Sequence, residues 1–277
     1  MEKFSGKIVA IDLDDTLLRD DLTISPFSCK VLCNVAASGI YVVLASGRTR
    51  EGICQFGNKI RLFDFPGGRY VISENGSEVF DVKEKKALFS TFTDKSVSDI
   101  LEELAVNSTF SATVYQNGEI FTSKDTRWTR LDQQLTGFKF NLVEDFFPFL
   151  RNGNFSKIVL GDDRENLLPL EPKLQSLLGD KASVCFSKPY FLEILPPDGG
   201  KGNALRHLTE KVLGLSADDV ACFGDSFNDK TMLEYAFNSV AMLNASDEIK
   251  ALARFSTKFS NNEDGVAKFL EENLIFN

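Results

Sequence analysis

The stretch Lys7-Ile8-Val9-Ala10-Ile11-Asp12-Leu13-Asp14-Asp15-Thr16-Leu17 governs how the rest of the chain is read. Its first half is a short apolar, β-branched run, the length and composition of a strand buried on both faces of a parallel sheet. Its second half places three acids in four positions. Carboxylates at the end of a buried strand are costly to desolvate unless a positive group meets them. Residues two apart on a strand share a face, so Asp12 and Asp14 are expected to converge while Ile11 and Leu13 pack behind. In open α/β sheets ligands sit beyond the carboxyl ends of strands. A hard cation with oxygen ligands fits there, and Mg²⁺ usually takes one or two carboxylates plus substrate phosphate.

Outward from this strand the rhythm is strand and helix in turn. Ser25-Pro26 opens a helix with an N-cap and a first-turn proline, and Gly39 closes it. Ile40–Ala45 and Tyr70–Ser73 read as further strands. Towards the end of the chain, a helix over Lys201–Leu213, a strand at Val220–Phe223, a helix over Asp229–Phe237 and a strand at Val240–Met242 resume the pattern, followed by helices over Asp247–Ala253 and Gly265–Leu274. Strands separated by helices predict a Rossmann-like parallel α/β core. From about Val82 to Lys188 the pattern changes. Gln116-Asn117-Gly118 joins two alternating runs as a hairpin, and a strand over Phe155–Leu160, a helix over Asn166–Leu178 and a strand over Ser183–Ser187 follow. The expected organisation is a core of residues 1–81 and 189–277 with an inserted α+β cap at 82–188, hinged near 81 and 189.

Composition narrows the chemistry. The 277 residues carry a net charge of −9, which argues against a nucleic-acid or polybasic membrane surface. No apolar run is long enough to span a bilayer, and residues 1–7 lack the apolar core of a secretory leader, so a cytoplasmic protein is expected. The single histidine, His207, leaves little material for histidine-based zinc sites or triads. Five cysteines without a C-x-x-C pair read as reduced, small hydrophobes. Carboxylates are the abundant reactive groups.

Three further stretches could work with Asp12. Gly224-Asp225-Ser226-Phe227-Asn228-Asp229 follows a strand and starts a helix. It reads either as an ordinary capped helix start or, beside a second acidic strand end, as half of a metal site. Ser46-Gly47-Arg48 lies at a strand-to-helix junction suited to an anion or to a simple cap. Lys201 leads a helix, the end where cations are uncommon, and so points to an anion or to plain solvation.

Taken in order, Asp12–Leu17, Ser46-Gly47-Arg48, Lys201 and Gly224–Asp229 resemble motifs I to IV of the haloacid dehalogenase (HAD) superfamily. The large insert, Glu74-Asn75-Gly76, Leu192-Glu193-Ile194 and Lys201-Gly202-Asn203-Ala204-Leu205 are similar to its Cof-type (class IIB, C2-capped) phosphatases. Asp15 stands where that family often has glycine, and aspartate tolerates the left-handed backbone such a turn needs. The resemblance implies a Mg²⁺-dependent phosphatase for small phosphorylated metabolites, sugar phosphates above all. Asp12 would be the nucleophile that forms an aspartyl-phosphate, and Asp14 the general acid and base. Asp12, Asp14 (through its backbone carbonyl), Asp225 and Asp229 would serve the metal. Ser46, Gly47, Lys201 and Asn228 would hold the phosphoryl oxygens, with Arg48, Asn75, Gly76 and Glu193 near the substrate. Tyr115, Trp128, Tyr190 and Phe191 are candidate cap contacts that read more readily as core. The expected partner is a small metabolite, with neither nucleic acid nor membrane, and the expected state a monomer or weak homo-oligomer. Alternatives are a phosphomutase or phosphotransferase on the same fold, a Gly-Asp-Ser esterase built on Ser226 and His207, and a metal-dependent binding protein.

Overall fold

Every residue of β1 (Ile8–Ile11) is buried, and the strand has a parallel neighbour on each side. The computed structural model describes residues 6–274; the reading of residues 1–5 as free of an apolar leader lies outside them. One sheet contains β1, β2 (Tyr41–Ala45), β3 (Tyr70–Ser73), β4 (Glu78–Asp81) and β5 (Lys86–Ser90). After a long insertion the same sheet takes β12 (Val220–Gly224), β13 (Asn238–Ala241) and β14 (Phe255–Ser256), in the order β14-β13-β12-β1-β2-β3-β4-β5. All pairs from β14 to β3 are parallel, and β4 turns back antiparallel on β3.

Alternation explains why the strand reads as continuously apolar. Val9 and Ile11 face one core with Val42, Leu44 and Phe269, whereas Ile8 and Ala10 face another with Val43, Leu205 and Met232. Both faces are covered, so neither parity of the strand can be polar. The helix Pro26–Ala37 starts as expected, with Ser25 Oγ accepting from the Ser28 N–H at 3.0 Å, and Gly39 takes a left-handed φ of 92°.

The insertion forms its own six-stranded sheet. It comprises β6 (Ser111–Gln116), β7 (Glu119–Thr122), β8 (Lys139–Leu142), β9 (Ile158–Gly161), β10 (Ser183–Lys188) and β11 (Phe191–Leu195), in the order β10-β11-β9-β6-β7-β8. The β6–β7 turn has Asn117 and Gly118 both at positive φ, the backbone of a tight hairpin. Ala112, Val114, Ile158, Leu160, Leu192 and Ile194 pack into one apolar cluster with the helices Val97–Ala105 and Leu170–Leu178. The opposite parity is partly polar.

The structure differs from the sequence reading in several places. One compact unit holds the residues up to Phe89 and from Gly200 on, the other Ser90–Gly199. The sequence placed the changes at 81/82 and 188/189; β5 prolongs the first sheet beside β4, and β11 pairs with β9 and β10 in the second. The helix read over Lys201–Leu213 is α-helical only to Arg206 and widens into a π turn over His207–Val212. That read over Asn166–Leu178 is two, Arg164–Leu167 and Leu170–Leu178, parted at Pro169, which has no N–H to give. Helices Val97–Ala105, Arg127–Thr136 and Phe146–Asn152 had no place in the sequence reading.

Candidate active site

Register brings the acids together. Ile11 lies opposite Phe223 of β12 and Leu44 of β2, so the loops after these three strands leave the sheet side by side. Asp12 is anchored by its N–H, which donates to the Phe223 carbonyl at 3.1 Å. The backbone then turns sharply, with Asp14 extended and Asp15 left-handed at φ 60°, ψ 7°. Aspartate at 15 therefore fills the conformation that glycine would otherwise take.

That turn overrules strand parity. β1 ends at Ile11, before either acid, and the two carboxylates take different cations. Asp14 receives Arg48 in bidentate fashion, Nη2 to Oδ1 at 2.6 Å and Nε to Oδ2 at 2.9 Å. Asp12 receives Lys201, whose ammonium donates to its Oδ1 at 2.5 Å and to Asp229 Oδ1 at 2.6 Å. Lys201 and Asp229 are wholly buried and Asp12 nearly so. Lys201 thus binds two carboxylates, and Arg48, placed near the substrate by the sequence, pairs with the acid beside it.

Asp229 is fixed at both oxygens. Its Oδ2 accepts from the N–H groups of Asp225 (3.0 Å) and Ser226 (3.2 Å), closing the turn after β12. Gly224 leaves the space: a Cβ there would lie 2.6 Å from the Asp229 carboxyl carbon. Asp225 accepts from the Thr16 hydroxyl at 2.8 Å, a link the sequence reading missed although Thr16 stands four residues after Asp12. Oxygens of Asp12, Asp225 and Asp229 lie within 4.8 Å of one another. Asp14 contributes no carboxylate to this group, which leaves only its main chain for the metal role expected of it.

The electrostatics are those of surplus negative charge. Burial, with Asp229 beside it, drives the Asp12 carboxyl well above the usual carboxylate range, against the pull of Lys201. Burial and then Asp229 push Asp225 up to about 7, with Thr16 pulling the other way. Burial opposes the charge on Lys201, yet Asp12 and Asp229 outweigh it and hold the ammonium above its ordinary pKa. Three carboxylates around one ammonium leave a buried deficit of positive charge. Hard oxygen donors this close fit a divalent cation.

The neighbouring loops supply polar groups. Ser46, at the end of β2, is buried, and its Oγ accepts from the Arg48 N–H at 3.2 Å. Asn228 donates from Nδ2 to Asn75 Oδ1 at 3.1 Å and accepts from the Ser226 hydroxyl at 2.8 Å. Glu74, Asn75 and Gly76 all have positive φ, and Gly76 lies so close to Gly200 that a Cβ would come within 2.2 Å of its carbonyl oxygen. His207, the base that a Ser226 esterase would need, lies against the Phe89 ring at 5.0 Å, and the Ser226 hydroxyl is committed to Asn228.

Glu193 belongs to the other unit. On β11 it points away from the apolar cluster and is buried, 3.4 Å from the Lys157 ammonium. Lys157 lies 5.1 Å from the Tyr115 ring centroid, and the Tyr115 hydroxyl donates to Asp132 Oδ2 at 2.6 Å. Trp128 and Tyr190 stack on one another at 4.8 Å. The five cysteines are free, Cys222 buried and the other four half-buried.

Known proteins share this architecture. A family described as haloacid dehalogenase-like hydrolase matches residues 9–270. The chain belongs to the haloacid dehalogenase superfamily. It is a Cof-type phosphatase with the α/β core expected. A Bacillus subtilis (strain 168) protein named "Putative phosphatase YxeH" is 30% identical over 269 residues, 96% of this chain and 97% of that one. A haloacid dehalogenase-like hydrolase from Bacteroides thetaiotaomicron superposes with a TM-score of 0.84 at 30% identity, covering 97% of this chain and 99% of the other. The structure described as the HAD subclass IIB sugar phosphatase BT4131 shares the fold, with a TM-score of 0.82 at 17% identity over 96% and 98% of the two chains. Among the described residues, no helix of the phosphatase is long and apolar enough to cross a membrane.

Proposed function

We propose that this phosphatase hydrolyses small phosphorylated metabolites, sugar phosphates foremost, through an aspartyl-phosphate on Asp12, with Mg²⁺ held by Asp12, Asp225 and the Asp14 carbonyl and with Asp229 supporting them. The convergence of Asp12, Asp225 and Asp229, with Lys201 bonded to the first and the last, carries this reading. Bound Mg²⁺ would supply positive charge that lets a phosphate dianion approach a carboxylate. At an effective dielectric near 20, two like charges about 4 Å apart repel by roughly 4 kcal/mol, close to three decades of rate.

Asp12 attacks phosphorus, and the alcohol leaves with a proton from the Asp14 carboxyl. Asp14 then takes a proton from water as it attacks the aspartyl-phosphate, returning Asp12. Arg48 grips Asp14 on both oxygens, so it fixes where that carboxyl stands and has to yield for a proton to be carried. Lys201 offsets charge on the nucleophile and the transferring group, while Ser46, Gly47 and Asn228 hold the phosphoryl oxygens. Choice of leaving group is assigned to the inserted unit, with Glu193 as its candidate contact. The sugar-phosphate preference draws on BT4131, whose description names it a sugar phosphatase, and the cytoplasm is the proposed location.

A panel of metabolite phosphates with Mg²⁺ or with EDTA, run on the parent and on Asp12→Asn, tests this. Phosphate release that needs both the metal and Asp12 is expected. Turnover that survives Asp12→Asn would refute it, and a newly phosphorylated alcohol in place of free phosphate labelled from heavy-oxygen water would point to transfer to another acceptor.

A further inference from the structure

We infer that Asn75 is a positioning residue that aligns the phosphoryl-binding loops through its side chain and its backbone. This rests on the phosphatase reading above and adds to it a residue that holds others in place. Asn75 is buried and makes four separate connections. Its N–H donates to the Ser46 carbonyl at 3.1 Å, and its carbonyl accepts from the Gly200 N–H at 3.0 Å, beside Lys201. Its side-chain amide packs where a Cβ on Gly47 would come within 3.0 Å, and its Oδ1 accepts from Asn228 at 3.1 Å. One residue therefore touches the loops that carry Ser46, Gly47, Lys201 and Asn228.

The backbone bonds need only a left-handed φ, here 53°, which glycine provides more readily than asparagine. The side chain does something glycine cannot. By accepting one hydrogen of the Asn228 amide, Oδ1 fixes the plane of that group and so aims its other N–H. A donor fixed in advance loses less on binding an anion than one that must be ordered at that moment. The three successive positive φ values at Glu74–Gly76 are the kind of strain that persists where surrounding structure over-determines it, often at functional sites.

The test uses the full chain with Mg²⁺, para-nitrophenyl phosphate as substrate and inorganic phosphate as inhibitor. Asn75→Gly keeps the backbone and removes the acceptor. KM and the phosphate inhibition constant should each rise about tenfold, with kcat changed less than about threefold, the pattern of lost uniform binding. Asn228→Ala should lose as much, and the double variant no more than either, since coupled residues are not additive. Asn75→Asp keeps the left-handed backbone and an acceptor oxygen but adds a negative charge near the phosphoryl group, so phosphate inhibition should weaken more than about tenfold. Parent-like phosphate inhibition in either Asn75 variant, or losses that add in the double, overturns the assignment. Asp12→Asn run alongside separates the two claims: if it turns over like the parent, the phosphatase mechanism fails, whatever the Asn75 variants show.

Discussion

Replacing Lys201 by methionine keeps the length of the side chain and removes its charge. The ammonium is fully buried, 2.5 Å from Asp12 and 2.6 Å from Asp229. Removing one partner of a buried ion pair costs about 3–5 kcal/mol, because the other charge stays buried without compensation. Two carboxylates lose their common partner here, so the upper end is expected. With about 2.1 cal/mol/K of unfolding entropy per residue over 277 residues, about 5 kcal/mol lowers the melting temperature by about 9 °C. The loss should depend on pH. Lys201 pulls the Asp12 pKa down against burial, so without it Asp12 holds its proton still more tightly in the folded state. An acid whose folded pKa lies above its unfolded value destabilises the fold when ionised, and that penalty fades as pH falls towards the unfolded value. Thermal melts in EDTA should show the larger deficit near pH 8 and the smaller near pH 5, with Mg²⁺ recovering part of it. A deficit equal at both pH values, or none in EDTA, would show that Lys201 does not compensate these carboxylates.

Burial pushes the Asp132 carboxyl up to about 6, against the pull of Tyr115 and Lys157. Its ionised form then costs the fold on the order of 3 kcal/mol, a cost that vanishes as pH falls from about 6 to about 4. Asp132→Asn should flatten that part of the stability profile, and an unchanged slope in chemical denaturation counts against it. Asp225→Asn removes one of three carboxylates and should abolish most of the stabilisation by Mg²⁺, about 2.7 kcal/mol in the parent at a hundred times the dissociation constant; an equal gain in both proteins contradicts the metal site. Gly224→Ala pushes a methyl group into the Asp229 carboxyl, and kcat/KM should fall about a hundredfold, the cost of displacing a catalytic constellation by about 1 Å. A near-parental rate would mean that the turn after β12 adapts freely.

Periodicity and chain punctuation sufficed for the core. The run Ile8–Ile11, the cap at Ser25 and the Asn117-Gly118 turn are local signals, and each element stands where its residues place it. Spacing also identified the acids that meet, because strand ends in a parallel sheet face the same way. Parity does not reach Asp14, since the strand stops one residue before Asp12 and a left-handed Asp15 redirects the chain. The partners of Lys201 and Arg48 were illegible for another reason. An ammonium or guanidinium can serve a phosphate or a carboxylate equally well, and only tertiary distance tells which is nearest. Pro169 breaks the one helix of the inserted unit that was legible.

The hydroxyl of Thr16 and the carboxylate of Asp225 bond across 209 positions of sequence, and the whole inserted unit lies between them. A ribosome must therefore finish β12 before this chain can assemble a competent centre. Until then β1 has a parallel partner on its β2 side only and exposes the edge that β12 will cover. Such an open apolar edge is a template for pairing with other chains. The arrangement keeps Asp12 apart from Asp225 until late in synthesis, and that long-range closure leaves the unfinished polypeptide with an unpaired strand edge meanwhile.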